Sequence, residues 1–160
     1  MSANADARRH PPRYRRAIAR LLRSDLPARG VYHVTGRGVA RCEIFRDDVD
    51  RNLFLSRMRR LANELSWKCF VYCLMTTHYH LLVATSLEQL SRGMQRLQGP
   101  YAQQFNAKYA RVGHLFQDRF DARVVRDELH FGRAYEYIRN NPVAAGMCTA
   151  AADWPWSGSI

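Results

Sequence analysis

Residues 67–84, W-K-C-F-V-Y-C-L-M-T-T-H-Y-H-L-L-V-A, decide the fold. Among the first eight residues, apolar side chains occur on both faces of the predicted strand, which is typical of a central strand that is covered on both sides. A second strand over residues 78–84 follows after the short Met75-Thr76-Thr77 connection. The stretch therefore predicts a β-hairpin built around a doubly covered strand.

Extended and helical patterns lie on the N-terminal side of this hairpin. Residues 31–35 predict a strand, and the glycines of Gly36-Arg37-Gly38 predict a turn that closes it. Asp47 and Asp48 are suitable N-caps for a first helix. The apolar residues that follow share one helical face, and they are Leu53, Phe54, Met58, Leu61 and Leu65.

The pattern continues on the C-terminal side. Ser86-Leu-Glu-Gln89 matches a capping box and opens a second helix that runs to Gly113, with a bend expected at Gly99-Pro100. Residues 120–126 predict a fourth strand, Asp127 caps a third helix, and that helix should stop at Pro142. The buried face of the second helix comprises Leu90, Met94, Leu97, Tyr101 and Phe105. We expect residues 143–160 to pack as an irregular wrap.

The order of these elements, β-α-β-β-α-β followed by α, predicts an α+β fold. Split β-α-β units of this kind form an antiparallel sheet with two helices on one face, the ferredoxin-like plan that RNA-recognition domains share. At 160 residues the chain is long enough for one core. We therefore expect a basic N-terminal arm at residues 1–29 and a single domain at residues 30–160.

The charge of the chain favours a polyanionic partner. The net charge is +11 at pH 7 and the sequence pI is about 10.2. Of the 25 basic residues, 23 are arginine, which suits phosphate recognition, although biased codon usage would produce the same excess. Eight of these arginines lie in residues 1–29, where a helical piece is expected at residues 17–22. The arm is either a solvated tail or a contact to nucleic-acid backbone, and we favour the contact.

Cysteine usage and hydropathy bear on the compartment. Cys42, Cys69, Cys73 and Cys148 form no C-x-x-C pair, and two of them lie inside the apolar run, where they are expected to be small buried hydrophobes. No run approaches about 18 apolar residues, and the N-terminus has arginines where a signal peptide is apolar. We therefore expect a reducing, cytoplasmic location.

His78 and His80 form the first candidate site. Side chains alternate along a strand, so the two imidazoles share one face while Tyr79, Leu81 and Val83 point to the other. Two imidazoles at this spacing can share a metal ion. The alternative is a pair of surface histidines on the open side of the sheet. His33, on the first strand, is a weaker candidate for the same face.

The third helix offers a partner for this pair. At about 100° per residue, Tyr137 and Asn141 stack one turn apart on a flank beside the core stripe. A metal-assisted tyrosine nucleophile needs an amide oxygen that holds the ion and a phenol that attacks a phosphate, because an unperturbed phenol with a pKa near 10 is a poor nucleophile. We expect Tyr101 and Tyr135 to be core residues and His114 to be an exposed loop residue.

Six segments in order resemble the REP-associated tyrosine transposases, a branch of the single-tyrosine HUH transposases. The resemblance extends over about residues 30–157, far more than the histidine pair alone. The segments are Y-H-V-T-G-R-G from residue 32, L-M-T-T-H-Y-H-L-L-V from residue 74, Y-A-Q-Q-F-N from residue 101, G-H-L-F-Q-D-R-F from residue 113, Y-I-R-N-N-P-V-A-A-G from residue 137 and D-W-P-W-S from residue 153.

The resemblance implies an endonuclease and strand-transferase that acts on single-stranded DNA. His78, His80 and Asn141 match the positions that hold Mg²⁺ or Mn²⁺, and Tyr137 matches the nucleophile that forms a 5′-phosphotyrosine link. Relatives recognise hairpins formed by repeated extragenic palindromes. Relatives commonly have Pro-Asn where this chain has Thr76-Thr77, which bears on the turn rather than on the ligands.

The DNA contacts and the competing functions are less defined. We expect Arg37, Arg119, Arg123 and Arg133 to contact the backbone of single-stranded or hairpin DNA, because charge and approximate location favour them. The oligomeric state is either monomer or homodimer, and no membrane contact is expected. One alternative function is a non-catalytic nucleic-acid-binding module on the same fold. Another is a replication initiator or relaxase with the same metal site.

Overall fold

The computed structural model describes residues 29–160. The expected helical piece at residues 17–22, and all but the last residue of the expected basic arm, lie outside this range. The strands and α-helices, in chain order, are β1 (Arg29–Arg37), α1 (Asp48–Glu64), β2 (Lys68–Leu74), β3 (His78–Ser86), α2 (Leu87–Lys108), β4 (Asp121–Val125), α3 (Glu128–Ala144) and β5 (Ser157–Gly158). Asp47, Ser86 and Asp127 cap the three helices through their side chains, as the sequence predicts.

The strands form one sheet in the order β4-β1-β3-β2-β5, and every neighbouring pair is antiparallel. The hairpin of β2 and β3 is confirmed, with Leu74 opposite Tyr79 at its closed end. The first four strands have the 4-1-3-2 order of the ferredoxin-like plan, so the predicted fold class is confirmed. The sheet puts β1 and β3 side by side at its centre, and these are the strands that carry the histidines.

The sheet is covered on both faces by two separate apolar clusters. The larger cluster lies under α1 and α2 and takes Tyr79, Leu81 and Val83 from β3. The smaller cluster lies under α3, where Ala134 and Ile138 pack on the opposite face of the sheet. Strand β2 contributes residues to both clusters, which confirms the doubly covered strand that its continuous apolar run predicts. The histidine face is therefore the one that α3 partly covers.

The predicted turn at Gly36-Arg37-Gly38 is wrong, because β1 continues through Arg37. Gly36 lies opposite Tyr79 in the register of β1 and β3, and a Cβ atom built on it would overlap the tyrosine ring. The glycine thus serves close packing across the sheet rather than chain reversal. Gly38 then forms an isolated bridge with Phe116, which connects the end of β1 to the loop before β4.

The C-terminal ends of α2 and α3 differ from the expectation. Helix α2 continues through Pro100 and ends at Lys108 instead of Gly113, because Ala110 adopts a positive φ of 49° soon after. Helix α3 continues past Pro142 to Ala144. Pro142 is buried and lies in the last turn of the helix, where its missing N–H removes only one terminal hydrogen bond.

Residues 143–160 are more regular than predicted. They include a short 3₁₀ turn, Ala151–Asp153, and β5, which pairs with β2 at the edge of the sheet. The indole N–H of Trp154 donates to the carbonyl oxygen of Leu74 at 3.1 Å. Strand β5 is only two residues long, which is too short to produce an alternating pattern in the sequence.

Two further expectations concern the cysteines and the membrane. Cys69 and Cys73 are buried, as predicted, and burial raises the pKa of their thiols to about 12 and about 11. Across residues 29–160, no helix combines the length and the apolar character needed to cross a membrane.

Candidate active site

Strand β3 and helix α3 bring the predicted site residues together. His78 and His80 lie on the sheet face that α3 crosses, with ring centroids 5.1 Å apart and ring planes nearly perpendicular at 87°. Only 5% of His80 is exposed to solvent. The alternative of two surface histidines on an open sheet face is therefore wrong for His80, and His78 is half-buried.

His78 connects the strand to the helix. Its Nε2 atom lies 3.3 Å from Oδ1 of Asn141, and its Nδ1 atom lies 3.1 Å from the hydroxyl oxygen of Thr77. Burial lowers the pKa of His78, the hydrogen bond with Asn141 opposes this shift, and the Arg37 cation adds to it. The imidazole is therefore held in the neutral form, which is the form that binds a metal ion.

His80 has its two nitrogens in very different surroundings. Nδ1 lies 3.0 Å from Nε2 of His33 and 3.2 Å from the hydroxyl oxygen of Thr35. Nε2 is buried and has no hydrogen-bond partner among the described residues. Burial, followed by the charges of His33, His78 and Arg37, lowers the pKa of His80 to about 3. An orphaned buried nitrogen of a neutral imidazole is a group that a bound ion would satisfy.

These donors fit a divalent cation. Each Nδ1 has a partner that fixes the ring. Nε2 of His80 is unpartnered, and an ion would take the place of the proton that Nε2 of His78 now shares with the Asn141 amide oxygen. Imidazole nitrogens and an amide oxygen are ligands that Mn²⁺ and related ions accept. Among residues 29–160, no group of three or more His, Cys, Asp and Glu side chains is placed to hold a metal. The amide oxygen of Asn141, 3.3 Å from Nε2 of His78, would be the third protein ligand.

Tyr137 lies beside the histidines with its side chain accessible. Its ring centroid is 5.4 Å from that of His80 and 5.9 Å from that of His33, with an edge-to-face arrangement in both cases. The residue is 55% exposed. Tyr79 and Tyr101, by contrast, are fully buried and burial raises the pKa of both phenols, so neither can reach a phosphate.

An open cleft of about 820 Å³ contains this tyrosine and the buried histidine. Arg37, Arg123 and Arg133 line the cleft together with Tyr137, so the fold gathers three of the four predicted DNA-contacting arginines around it. Arg119 does not line this cleft. It lines a second cavity of about 940 Å³ between α2 and the loop before β4. Arg123 is 77% exposed and forms an ion pair with Asp121 at 3.2 Å.

The structure also contains polar residues that the sequence did not assign. Thr35 lies directly opposite His80 in the register of β1 and β3, and Thr77 precedes His78 in the chain. His33, a weaker candidate for a ligand, lies on the Nδ1 side of His80 and not beside its free nitrogen. Strand pairing decides the contacts of Thr35 and His33 with His80, and no spacing within one strand could have indicated them. Thr77, by contrast, contacts its own chain neighbour His78.

Comparisons with known proteins identify the family of the chain. Residues 28–141 match the family model described as Transposase IS200 like. The chain belongs to this IS200-like transposase family. The match includes β3 and the part of α3 that carries Tyr137 and Asn141, and it confirms the family resemblance predicted from the six segments.

Two relatives of this IS200-like chain are informative. A Haemophilus influenzae protein named as a putative REP-associated tyrosine transposase is 27% identical over 118 residues. The match covers 66% of each of the two chains, so this chain spans slightly less than two thirds of that relative's length. The solved structure of a REP-associated tyrosine transposase bound to a REP hairpin superposes with a TM-score of 0.65 at 17% identity, covering 80% of this chain and 75% of the other. This superposition supports the fold.

Proposed function

We propose that the protein is a metal-dependent endonuclease and strand-transferase that acts on hairpin-forming single-stranded DNA through a 5′-phosphotyrosine intermediate. One observation carries the proposal. The orphaned Nε2 of His80 and the facing pair of His78 and Asn141 lie beside the accessible ring of Tyr137. His80 and the nucleophile Tyr137 line one arginine-lined cleft, and the pair of His78 and Asn141 adjoins it through the ring contact of His78 with His80.

The proposed substrate class is based on charge and on the similarity to a solved relative. The net charge of +11 favours a polyanion, and the cleft supplies arginines beside the nucleophile. The solved relative with the same fold was bound to a REP hairpin. We therefore assign hairpin DNA with unpaired flanks as the substrate. The basic arm at residues 1–29, the cytoplasmic location and the choice between monomer and homodimer stay predictions.

His78, His80 and Asn141 would hold Mg²⁺ or Mn²⁺. When bound, such an ion withdraws electron density from the scissile phosphate and stabilises the charge that develops on it. The protein supplies the ligands in fixed orientations, because Thr77 holds the ring of His78 while His33 and Thr35 hold the ring of His80. The arginines of the cleft position the strand and neutralise its charge.

Tyr137 performs the covalent step. Its phenolic oxygen attacks phosphorus and forms an O–P bond, its proton leaves to solvent, and the bond between phosphorus and the 3′ oxygen breaks. The leaving 3′ oxygen takes up a proton and becomes a free 3′-hydroxyl. Rejoining is the reverse reaction with a different 3′-hydroxyl, so the phosphoester bond energy is kept and no outside energy source is required.

The test is a covalent trapping experiment. The full chain is incubated with Mn²⁺ and end-labelled hairpin oligonucleotides with unpaired flanks, and denaturing gels with mass spectrometry locate the adduct. We expect a DNA adduct on Tyr137, lost in Tyr137→Phe and upon chelation of the metal. Tyr135→Phe is the matched control, because this phenol is on the same helix but packs against Phe131 in the smaller cluster.

Three results would contradict the proposal. An adduct that persists in Tyr137→Phe would mean that another residue is the nucleophile. An adduct that forms equally well under chelation would remove the metal from the reaction. Tight binding with no product under any condition would favour the non-catalytic nucleic-acid-binding module.

A further inference from the structure

His130 has one nitrogen whose proton is fixed by the backbone. The N–H of Arg126 donates a hydrogen bond to Nδ1 of His130 at 3.3 Å across the turn that joins β4 to α3. A backbone N–H can only donate, so Nδ1 must carry a lone pair and the neutral ring must carry its proton on Nε2. The side chain is therefore a hydrogen-bond donor at its outer end.

This donor is available in the same cleft as the nucleophile. His130 lines the cleft with Arg133 and Tyr137, and its Nε2 atom has no hydrogen-bond partner among the described residues. The cleft also contains the carboxylates of Asp118 and Asp121, and the second of these is paired with an arginine. None of the described contacts therefore uses the Nε2–H of His130.

The spacing along α3 matches a run of phosphates. His130, Arg133 and Tyr137 lie on one flank, with rises of about 4.5 Å and about 6 Å between successive residues. These steps are comparable to the separation of successive phosphates in an extended single strand. Phosphate oxygens only accept hydrogen bonds, so a donor-only imidazole beside an arginine complements them.

We propose that the Nε2–H of His130 donates a hydrogen bond to a backbone phosphate close to the scissile one, so that the α3 flank is a track for the unpaired strand. The inference rests on the proposed function, since Tyr137 defines the scissile end of the track. Tyr137 follows His130 by seven positions, which corresponds to a rise of about 10.5 Å and places this contact about one or two nucleotides away.

Two amide variants separate this role from a structural one. In His130→Gln the terminal amide nitrogen replaces the Nε2 donor, while the acceptor for the Arg126 N–H is lost. In His130→Asn the amide oxygen replaces the Nδ1 acceptor, while the outer donor is lost. Both are made in a Tyr137→Phe background so that DNA is bound without being cut, and His114→Asn, in the loop that lines the other cavity, is the control.

Binding is measured by fluorescence anisotropy with a DNA hairpin that has unpaired flanks, and with copies in which one flank phosphate at a time is a neutral methylphosphonate. We expect His130→Gln and His114→Asn to bind as the parent does. We expect His130→Asn to bind roughly tenfold more weakly, because a hydrogen bond to a charged group is lost. One methylphosphonate position should weaken the parent and leave His130→Asn unchanged.

The opposite pattern overturns the inference. If His130→Gln weakens binding and His130→Asn does not, the ring serves only the Arg126 turn. If both variants bind as the parent, or if no phosphate position is coupled to His130→Asn, the proposed contact does not exist. These binding results are separate from adduct formation on Tyr137, so failure of the proposed chemistry would be recognised independently.

Discussion

Replacing Gly36 by alanine should destabilise the protein through a single misplaced methyl group. Gly36 has no positive φ, so the backbone itself accepts alanine. The new Cβ atom would overlap the ring of Tyr79, and that ring has little room to move. It packs against Phe54 at 4.9 Å between centroids and against Phe116 at 6.2 Å, and its hydroxyl accepts a hydrogen bond from Gln98 at 2.9 Å.

The magnitude follows from these restraints. Overpacking a filled core costs about 1–3 kcal/mol, and a ring held on several sides belongs near the upper end. Alanine recovers about 0.5–1 kcal/mol relative to glycine, because it loses less backbone freedom on folding. The net loss in unfolding free energy is about 2 kcal/mol, which for a chain of this size lowers Tm by roughly 4–8 °C.

Thermal and urea unfolding followed by circular dichroism measure this change. Gly132→Ala is the matched control, because Gly132 lies in α3 and a Cβ atom there meets nothing within 4 Å. We expect this control to gain up to about 1 kcal/mol from helix propensity and to raise Tm by roughly 2–4 °C. Equal unfolding midpoints for Gly36→Ala and the parent would refute the explanation that Gly36 is required for close packing against Tyr79.

Two further predictions concern the polar partners of β3. His33→Ala should weaken Mn²⁺ binding about tenfold, as measured by isothermal titration calorimetry, and adding Thr35→Val should weaken it further, because both side chains orient the ring of His80. Unchanged Mn²⁺ affinity in the double variant would show that these two side chains do not orient His80 for metal binding. Tyr79→Phe should lower the free energy of unfolding by about 1–3 kcal/mol in urea, because the buried amide of Gln98 loses its acceptor; a change near zero would show that the amide finds another partner.

The sequence predicted the elements that have long, regular patterns. Periodicity identified four elements correctly because each has a pattern that repeats several times. These elements are β2 with its continuous apolar run, β3 with its alternation, and the first two helices with their apolar stripes. The order of those elements then fixed the fold class, because split β-α-β units have few allowed topologies. The same alternation placed His78 and His80 on one face.

The features that the sequence did not predict depend on contacts between distant segments. Gly36 indicated a turn by residue type, yet its function is to leave room for Tyr79 across the sheet. Strand β5 is too short for a pattern and exists only because β2 offers an edge. Thr35 reaches His80 through strand register. Each of these assignments requires knowledge of pairing, which spacing along one segment does not contain.

The site combines residues from two parts of the fold that are anchored in different apolar clusters. The histidines belong to a central strand whose other face is anchored in the larger cluster, so their positions are fixed by the most buried part of the fold. Asn141 and Tyr137 belong to α3, which is attached through the smaller cluster. Because these two residues lie one turn apart on one helix, any shift of α3 would withdraw the proposed third ligand and the proposed nucleophile together. Metal affinity and cleavage competence are therefore expected to be coupled through the packing of this helix.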